Sequence, residues 1–175
     1  MEFHSLGSEA DGPTLRLDHE EFAYAGKFVM SSTGKTVARE GGTLVGAVAF
    51  NEDNTDPETA HLRYVTVRED RRGEGIGPRL LRFTAAELSE EYETVEIAVN
   101  NPMAYEACYR AGFVYTGEQA GIAELRMVYR PGSRDAQRYR SGFETFRERD
   151  LPAEHEAVCD RHEEGDPPDL VDVPA

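Results

Sequence analysis

An α/β fold with a mixed, mostly antiparallel central sheet flanked by helices is what this 175-residue sequence predicts, and three observations predict it. Short runs suited to strands, at 36–39, 43–50 and 61–68, succeed one another across turn-forming breaks, which reads as an antiparallel meander. A glycine-rich segment then leads into a run at helical spacing, 78–90. Last, the pattern alternates: a buried-type strand at 95–99, a short helix at 102–111 and a hairpin of 113–116 with 123–129.

Residues 1–13 are polar and rich in Gly and Ser, so the fold is expected to begin near residue 14, where Thr14-Leu15-Arg16-Leu17 alternates like a short strand. Asp18 is a candidate N-cap ahead of Glu20 and Glu21, and Phe22, Ala25, Val29 and Met30 fall at helical spacing, which predicts a helix over 18–30. Gly41-Gly42 divides the first two strands, and a polar loop, 51–59, divides the second from the third. Pro78 suits the first turn of a helix whose Leu80, Leu81, Ala85 and Leu88 share one side. The helix at 102–111 opens on Pro102 and stops at Gly112, a residue suited to a C-terminal cap. Beyond Pro131-Gly132 the composition turns mostly to charge, with Tyr139, Phe143 and Phe146 scattered through it. We expect a domain over 14–130 and, over 131–175, an appended helix and an acidic tail whose stretch 163–168 is disordered or draped over the surface.

Composition excludes some partners. The chain has 34 acidic and 19 basic side chains, a formal charge of -15, which repels nucleic acid phosphates and anionic lipids. Only Lys27 and Lys35 are lysine. Such a carboxylate-rich, lysine-poor surface resembles that of proteins from salt-loving archaea, in which molar salt screens repulsion beyond ~3 Å; the plainer alternative is an acidic protein of a GC-rich genome. Cys108 and Cys159 cannot make a disulfide framework, no run reaches the ~20 apolar residues of a membrane span, and the first residues show no apolar export core. A cytoplasmic protein with no membrane partner is expected.

The stretch from Val65 to Pro78 passes from a strand through Gly73, Gly75 and Gly77 into a helix. Glycines let a backbone approach a ligand closely, and a helix start offers unpaired N–H groups at the positive end of its dipole. A pyrophosphate would suit it. The dinucleotide fingerprint does not match, because these glycines are spaced by two throughout. Gly34-Lys35-Thr36 is not a phosphate loop either, since Val29 stands where its first glycine should be.

With Arg72, Gly75 and Gly77 at these spacings, and with Asn101, Ala104 and the pair Gly112-Phe113 coming after them in order, the chain resembles the GNAT acetyltransferase superfamily over about residues 14–130. The resemblance implies acetyl-coenzyme A as acyl donor and an amine as acceptor, without a metal. It implies that Arg72, Gly73, Glu74, Gly75, Ile76 and Gly77 hold the pyrophosphate, that main-chain groups of Val65 and Val67 bond to the pantetheine arm by strand addition, and that Asn101 and Ala104 belong to the cofactor site. It also implies a splay of the sheet at strands 61–68 and 95–99. The acceptor pocket of the family is built by the first helix and the last hairpin, where this chain offers Phe22, Tyr24 and Phe28.

Acetyl transfer needs a neutral amine, a polarised thioester and a proton for the departing thiolate. Many family members place a tyrosine four residues before the Gly-Phe pair; here Cys108 stands there, with Tyr109 one place on and about 100° around the helix. Tyr109 is the first candidate for the acid and Cys108 the second, with packing roles for both as the alternative. His61 is the candidate base, at a place where some members carry a glutamate; Glu58 and Glu96 are weaker ones. The displaced tyrosine leaves open a module that binds acyl-coenzyme A without catalysis. His155, Cys159 and His162 have the spacing of metal ligands but lack a fourth and lie in the acidic tail, so we expect no metal there. A homo-oligomer joined through the tail, a homodimer for instance, is a third reading that could accompany either catalysis or binding alone.

Overall fold

Four strands form an antiparallel meander in the first half of the chain: β1 (Glu2–Gly7), β2 (Gly34–Glu40), β3 (Thr43–Glu52) and β4 (Thr59–Val67). Gly41 and Gly42, both with left-handed φ (56° and 82°), close the β2–β3 hairpin, the turn whose twist matches that of the strands. The computed structural model describes residues 1–174. These divide into two compact units, Met1–Val95 with the residues from Asp172 on, and Glu96–Val171. The expected α/β class, with seven strands, mostly antiparallel, flanked by helices, is the class observed. Among the described residues no helix is long and apolar enough to cross a membrane.

In the first unit α2 (Ile76–Leu88) buries Ile76, Leu80, Leu81, Ala85 and Leu88. A second core of Phe28, Val37, Ala47 and Ala49 takes in the partly buried Leu15, Leu17, Leu44 and Tyr64. Lys35 is fully buried, its ammonium donating to the carbonyls of Pro13, Met30 and Thr33 and to the Thr33 hydroxyl at 2.6–2.9 Å. Burial pushes its pKa down. The lysine of the Gly34-Lys35-Thr36 run thus ties the two ends of the segment 13–33 together.

Three expectations for this unit need correction. The fold begins at β1, not near residue 14; β1 pairs with β2 as an edge strand that buries only Phe3, too faint a pattern to read in sequence. Residues 14–17 form no strand, although Leu15 N–H donates to Phe28 O at 2.9 Å. The helix expected over 18–30 shrinks to α1 (Ala25–Phe28). Asp18 does start a turn, accepting from Glu20, Glu21 and Phe22. Tyr24 then turns left-handed (φ 61°) and ends it. Phe22 and Phe28 are both buried, and six helical steps would set them about 120° apart, so one continuous helix would leave one of them off the core face.

The second unit holds most of β5 (Thr94–Val99), then α3 (Pro102–Ala111), β6 (Phe113–Ala120), β7 (Glu124–Tyr129), α4 (Ala136–Arg147) and α5 (Ala153–Arg161). β7 pairs antiparallel with both β5 and β6, with Ile97 and Tyr115 each opposite Met127. Beyond residue 131 lie two helices rather than the one expected. Tyr139, Phe143 and Phe146 recur at i, i+4 and i+7, so they share one face of α4, and all three are buried. The tail after α5 is draped: Arg140 bonds to Gly165 O, Arg134 to Pro168 O at 2.8 Å, and Val171 N–H to Arg110 O at 2.8 Å.

Gly142 lets α4 pass close to α3. A Cβ there would collide with Cζ and Oη of Tyr105, a ring with no exposure, stacked on Tyr139 and held by its hydroxyl to Tyr139 O at 2.7 Å. Alanine would gain about 1 kcal/mol of helix propensity, but overpacking costs about 1–3 kcal/mol, and the ring has nowhere to go. Gly142→Ala is therefore expected to lower the chemical denaturation midpoint. A raised midpoint would show that Tyr105 can shift.

Candidate functional site

The glycine segment takes the left-handed turns that its residue types suggest. After a 3-10 turn at Glu69–Arg71, Gly73 and Gly75 both take left-handed φ, 85° and 77°, and Gly75 is the N-cap of α2. Among the described residues no acceptor is found for the N–H groups of Gly73, Glu74, Gly75, Ile76 or Gly77, which leaves them for a ligand. A Cβ on Gly73 would meet open space, whereas one on Gly77 would touch Val67 at an ordinary 3.7 Å. Side chains around the loop are sorted by charge. Arg71 binds Glu74 at 2.8 Å and Glu40 at 2.7 Å, and Arg68 binds Asp70 at 2.6 Å. Arg72 is exposed and has no carboxylate partner among the described residues. Glu74 is thus drawn off by Arg71, while Arg72 faces no carboxylate among the described residues. These features fit a pyrophosphate.

Val65 and Val67 stand opposite Val48 and Gly46 on β4, the last strand of the meander. Between Tyr64 and Leu62 the register slips, because Tyr64 faces Ala49 and Leu62 faces Phe50, leaving Arg63 as an extra residue. Such a bulge bends a strand and re-aims the side chains beyond it. His61 lies two residues before Arg63, half-buried, and its Nε2 meets Asp53 Oδ2 at 2.5 Å. Sequence reading found the histidine but missed the aspartate. Asp53 Oδ1 accepts from the N–H and hydroxyl of Thr55, both at 2.8 Å, and from Asp56 N–H at 3.1 Å. The bonds to Thr55 first, and then His61, hold the Asp53 carboxyl well below the usual carboxylate range. It stays an anion and orients the imidazole. The Asp-x-Thr turn was a visible signal, but its pairing with residue 61 depends on β3–β4 register.

The first helix region is open to solvent at Tyr24 and Met30. A shallow cavity of about 530 Å³ is lined by His19, Phe22, Tyr24, Lys27 and Met30. Tyr24 is exposed and tilts against Tyr64 at 5.8 Å. Phe28, in contrast, has no exposure and belongs to the core.

The second unit carries the other candidates. Asn101 is the N-cap of α3, its side chain accepting from Ala104 N–H at 2.9 Å, so these two are bonded to each other. Gly112, with φ 104°, caps the carbonyls of Cys108 and Tyr109. Cys108 is buried, and burial pushes its thiol up to about 12. Tyr109 is also buried, stacked on Tyr139 at 3.9 Å, with the Arg134 guanidinium 4.0 Å over its ring. Burial raises its pKa. Glu96 binds Arg126 at 2.6 Å, while Glu58 sits in the loop before β4. Of the histidine and cysteine residues near the end, His162 bonds to Glu106 at 2.9 Å and stacks on Phe143, and Cys159 is buried.

The model of the acetyltransferase (GNAT) family matches residues 5–113, more than half of the chain. No curated protein matches it. Among solved structures, a Pyrococcus horikoshii OT3 protein is 24% identical over 55% of this chain and 64% of its own length, under two thirds, with a TM-score of 0.47. A Bacillus subtilis acetyltransferase in complex with CoA is 16% identical over 56% of this chain and 76% of that one, with a TM-score of 0.48. A ribosomal-protein-alanine N-acetyltransferase of Brucella melitensis is 21% identical over 55% and 67%, with a TM-score of 0.44. These likenesses are too distant to carry activity or substrate.

Proposed function

The chain belongs to the acetyltransferase (GNAT) family, and from that premise we propose that it transfers an acetyl group from acetyl-coenzyme A to an amine. The observation that carries the reading is the loop from Gly73 to Gly77, where two left-handed glycines and main-chain N–H groups without internal acceptors stand beside the exposed Arg72. Those N–H groups would hold the pyrophosphate of the donor, and Val65 and Val67 would bond to its pantetheine amides.

In the reaction the amine nitrogen attacks the thioester carbonyl carbon, the new C–N bond forms and the C–S bond breaks. The proton lost by the amine goes to His61, oriented by Asp53, and the departing thiolate takes up one proton. Tyr109 and Cys108 remain the proposed donors, Tyr109 first; both stay protonated at neutral pH, and burial is what either must overcome. Asn101 and Ala104 remain in the proposal as the helix start nearest the cofactor in sequence pattern. The cavity by Phe22, Tyr24 and Met30 favours an acceptor, small molecule or polypeptide terminus, with an apolar group beside its amine. A cytoplasm rich in salt is the setting the composition supports.

A second reading is a module that binds acyl-coenzyme A without turnover, favoured by the enclosed Tyr109 and Cys108. Calorimetry with coenzyme A, and then measurement of free thiol released from acetyl-coenzyme A across a panel of amines, separates the two. We expect binding and amine-dependent release. Binding with no release would favour the second reading, and no binding would remove both.

A further inference from the structure

The second unit contains a cavity of about 350 Å³ walled by α3, the β6–β7 hairpin and the start of α4, within the size range of small-molecule sites. Three arginines line it, Arg126, Arg130 and Arg138. Arg126 is neutralised, by Glu96 at 2.6 Å and Glu118 at 3.0 Å. Arg130 and Arg138 have no carboxylate partner among the described residues. In a chain where acids outnumber bases 34 to 19, two such guanidinium groups on one cavity are unexpected, because a carboxylate is nearly always at hand. The one acid in the wall, Asp135, is already used: its Oδ1 accepts from the N–H groups of Gln137 and Arg138 at 2.9 and 3.1 Å.

Two details make this more than a loose pair of surface side chains. Gly117, left-handed at φ 86°, leaves room for Arg138, whose Nη1 lies where a Cβ on Gly117 would be. Tyr139, also in the wall and 1% exposed, has a hydroxyl with no hydrogen-bond partner among the described residues, an open bond that a buried phenol seldom tolerates. Tyr109, Tyr115 and Tyr139 give the wall aromatic surface. A carboxylate or phosphate could pair with both guanidinium groups, while a flat apolar body lies against the rings.

We propose that this cavity is a second ligand site, distinct from the glycine loop, for a small organic anion: a carboxylate or phosphate ester with an aromatic or other flat apolar body. The site exists only because α4 closes over the hairpin, so it is a property of the residues appended beyond the match to the family.

The test applies calorimetry at low ionic strength to the full chain with three probes, phenyl phosphate, benzoate and phenol, and with inorganic phosphate as a fourth. Saturable binding is expected for phenyl phosphate or benzoate, more than tenfold tighter than for phosphate or phenol. R130Q and R138Q, both at exposed side chains, should each weaken it about tenfold, with thermal unfolding unchanged, and R130Q/R138Q together should abolish it. Binding of undiminished strength in the double variant would place the anion elsewhere, the glycine loop included, and overturn the proposal. Absence of saturable binding to every probe would do the same. Because coenzyme A affinity is read separately on the same samples, failure here leaves the acetyltransferase reading intact, and failure there leaves this one.

Discussion

Gly75→Val is expected to weaken coenzyme A binding by about 10- to 100-fold. Gly75 holds φ 77° and ψ 17° as the N-cap of α2, a left-handed conformation that costs a β-branched residue about 1–3 kcal/mol. Each 1.4 kcal/mol is about tenfold in affinity. If the loop relaxes to relieve the strain, the N–H groups from Gly73 to Gly77 change direction and the loss appears in the dissociation constant. If it does not relax, the cost appears as a lower unfolding midpoint. Calorimetry and thermal unfolding on the same variant read both. Gly77→Ala is the control, because Gly77 is helical and its Cβ would make only an ordinary contact with Val67. Affinity and midpoint both unchanged in Gly75→Val would show that the loop's conformation has no part in binding.

His61→Gln should lower the turnover number about 100-fold or more, the usual scale of a positioned base, while coenzyme A affinity stays as in the parent. Glutamine keeps a polar group near Asp53 but cannot take up a proton at neutral pH. Asp53→Asn should give a smaller loss, since it removes the charge that orients the ring at 2.5 Å and leaves the imidazole itself. Acid acts on the Asp53 carboxyl with a definite sign. Its pKa is depressed in the folded chain, so its contribution to stability is present above the unfolded value, about 3.9, and is lost as pH falls through the folded one. Asp53 therefore remains ionised through any ordinary assay range. Steady-state kinetics at saturating amine decide the matter: unchanged turnover in His61→Gln would mean that the amine arrives neutral or that another group accepts its proton.

Much of the first unit was legible because its signals are local. Gly41-Gly42 announced a tight hairpin, and the hairpin is there. Pro78 and the leucines after it predicted α2 to within two residues of its observed bounds. The reading failed where burial was shared between distant segments. Phe22, Ala25, Val29 and Met30 read as one face of a helix, yet Val29 and Met30 are exposed and Phe28 is buried, because the left-handed Tyr24 breaks the helix after Phe22. Glu2–Gly7 shows almost no pattern of its own, and β2 supplies the hydrogen bonds that make it a strand. In the appended segment the 139, 143, 146 spacing was a helical signal hidden among charges.

The site divides along the same line. From residue types alone came the order strand, glycine loop, helix and the stop at Gly112, because positive φ and capping are properties of a residue and its immediate neighbours. Only the folded chain decided that Asp53 would stand beside His61, that Glu74 would turn to Arg71, that Tyr109 would be stacked between Arg134 and Tyr139, and that Lys35 would be sealed among carbonyls. Those pairings depend on strand register and on which surfaces are buried together, and such long-range geometry is not written in any short stretch of sequence.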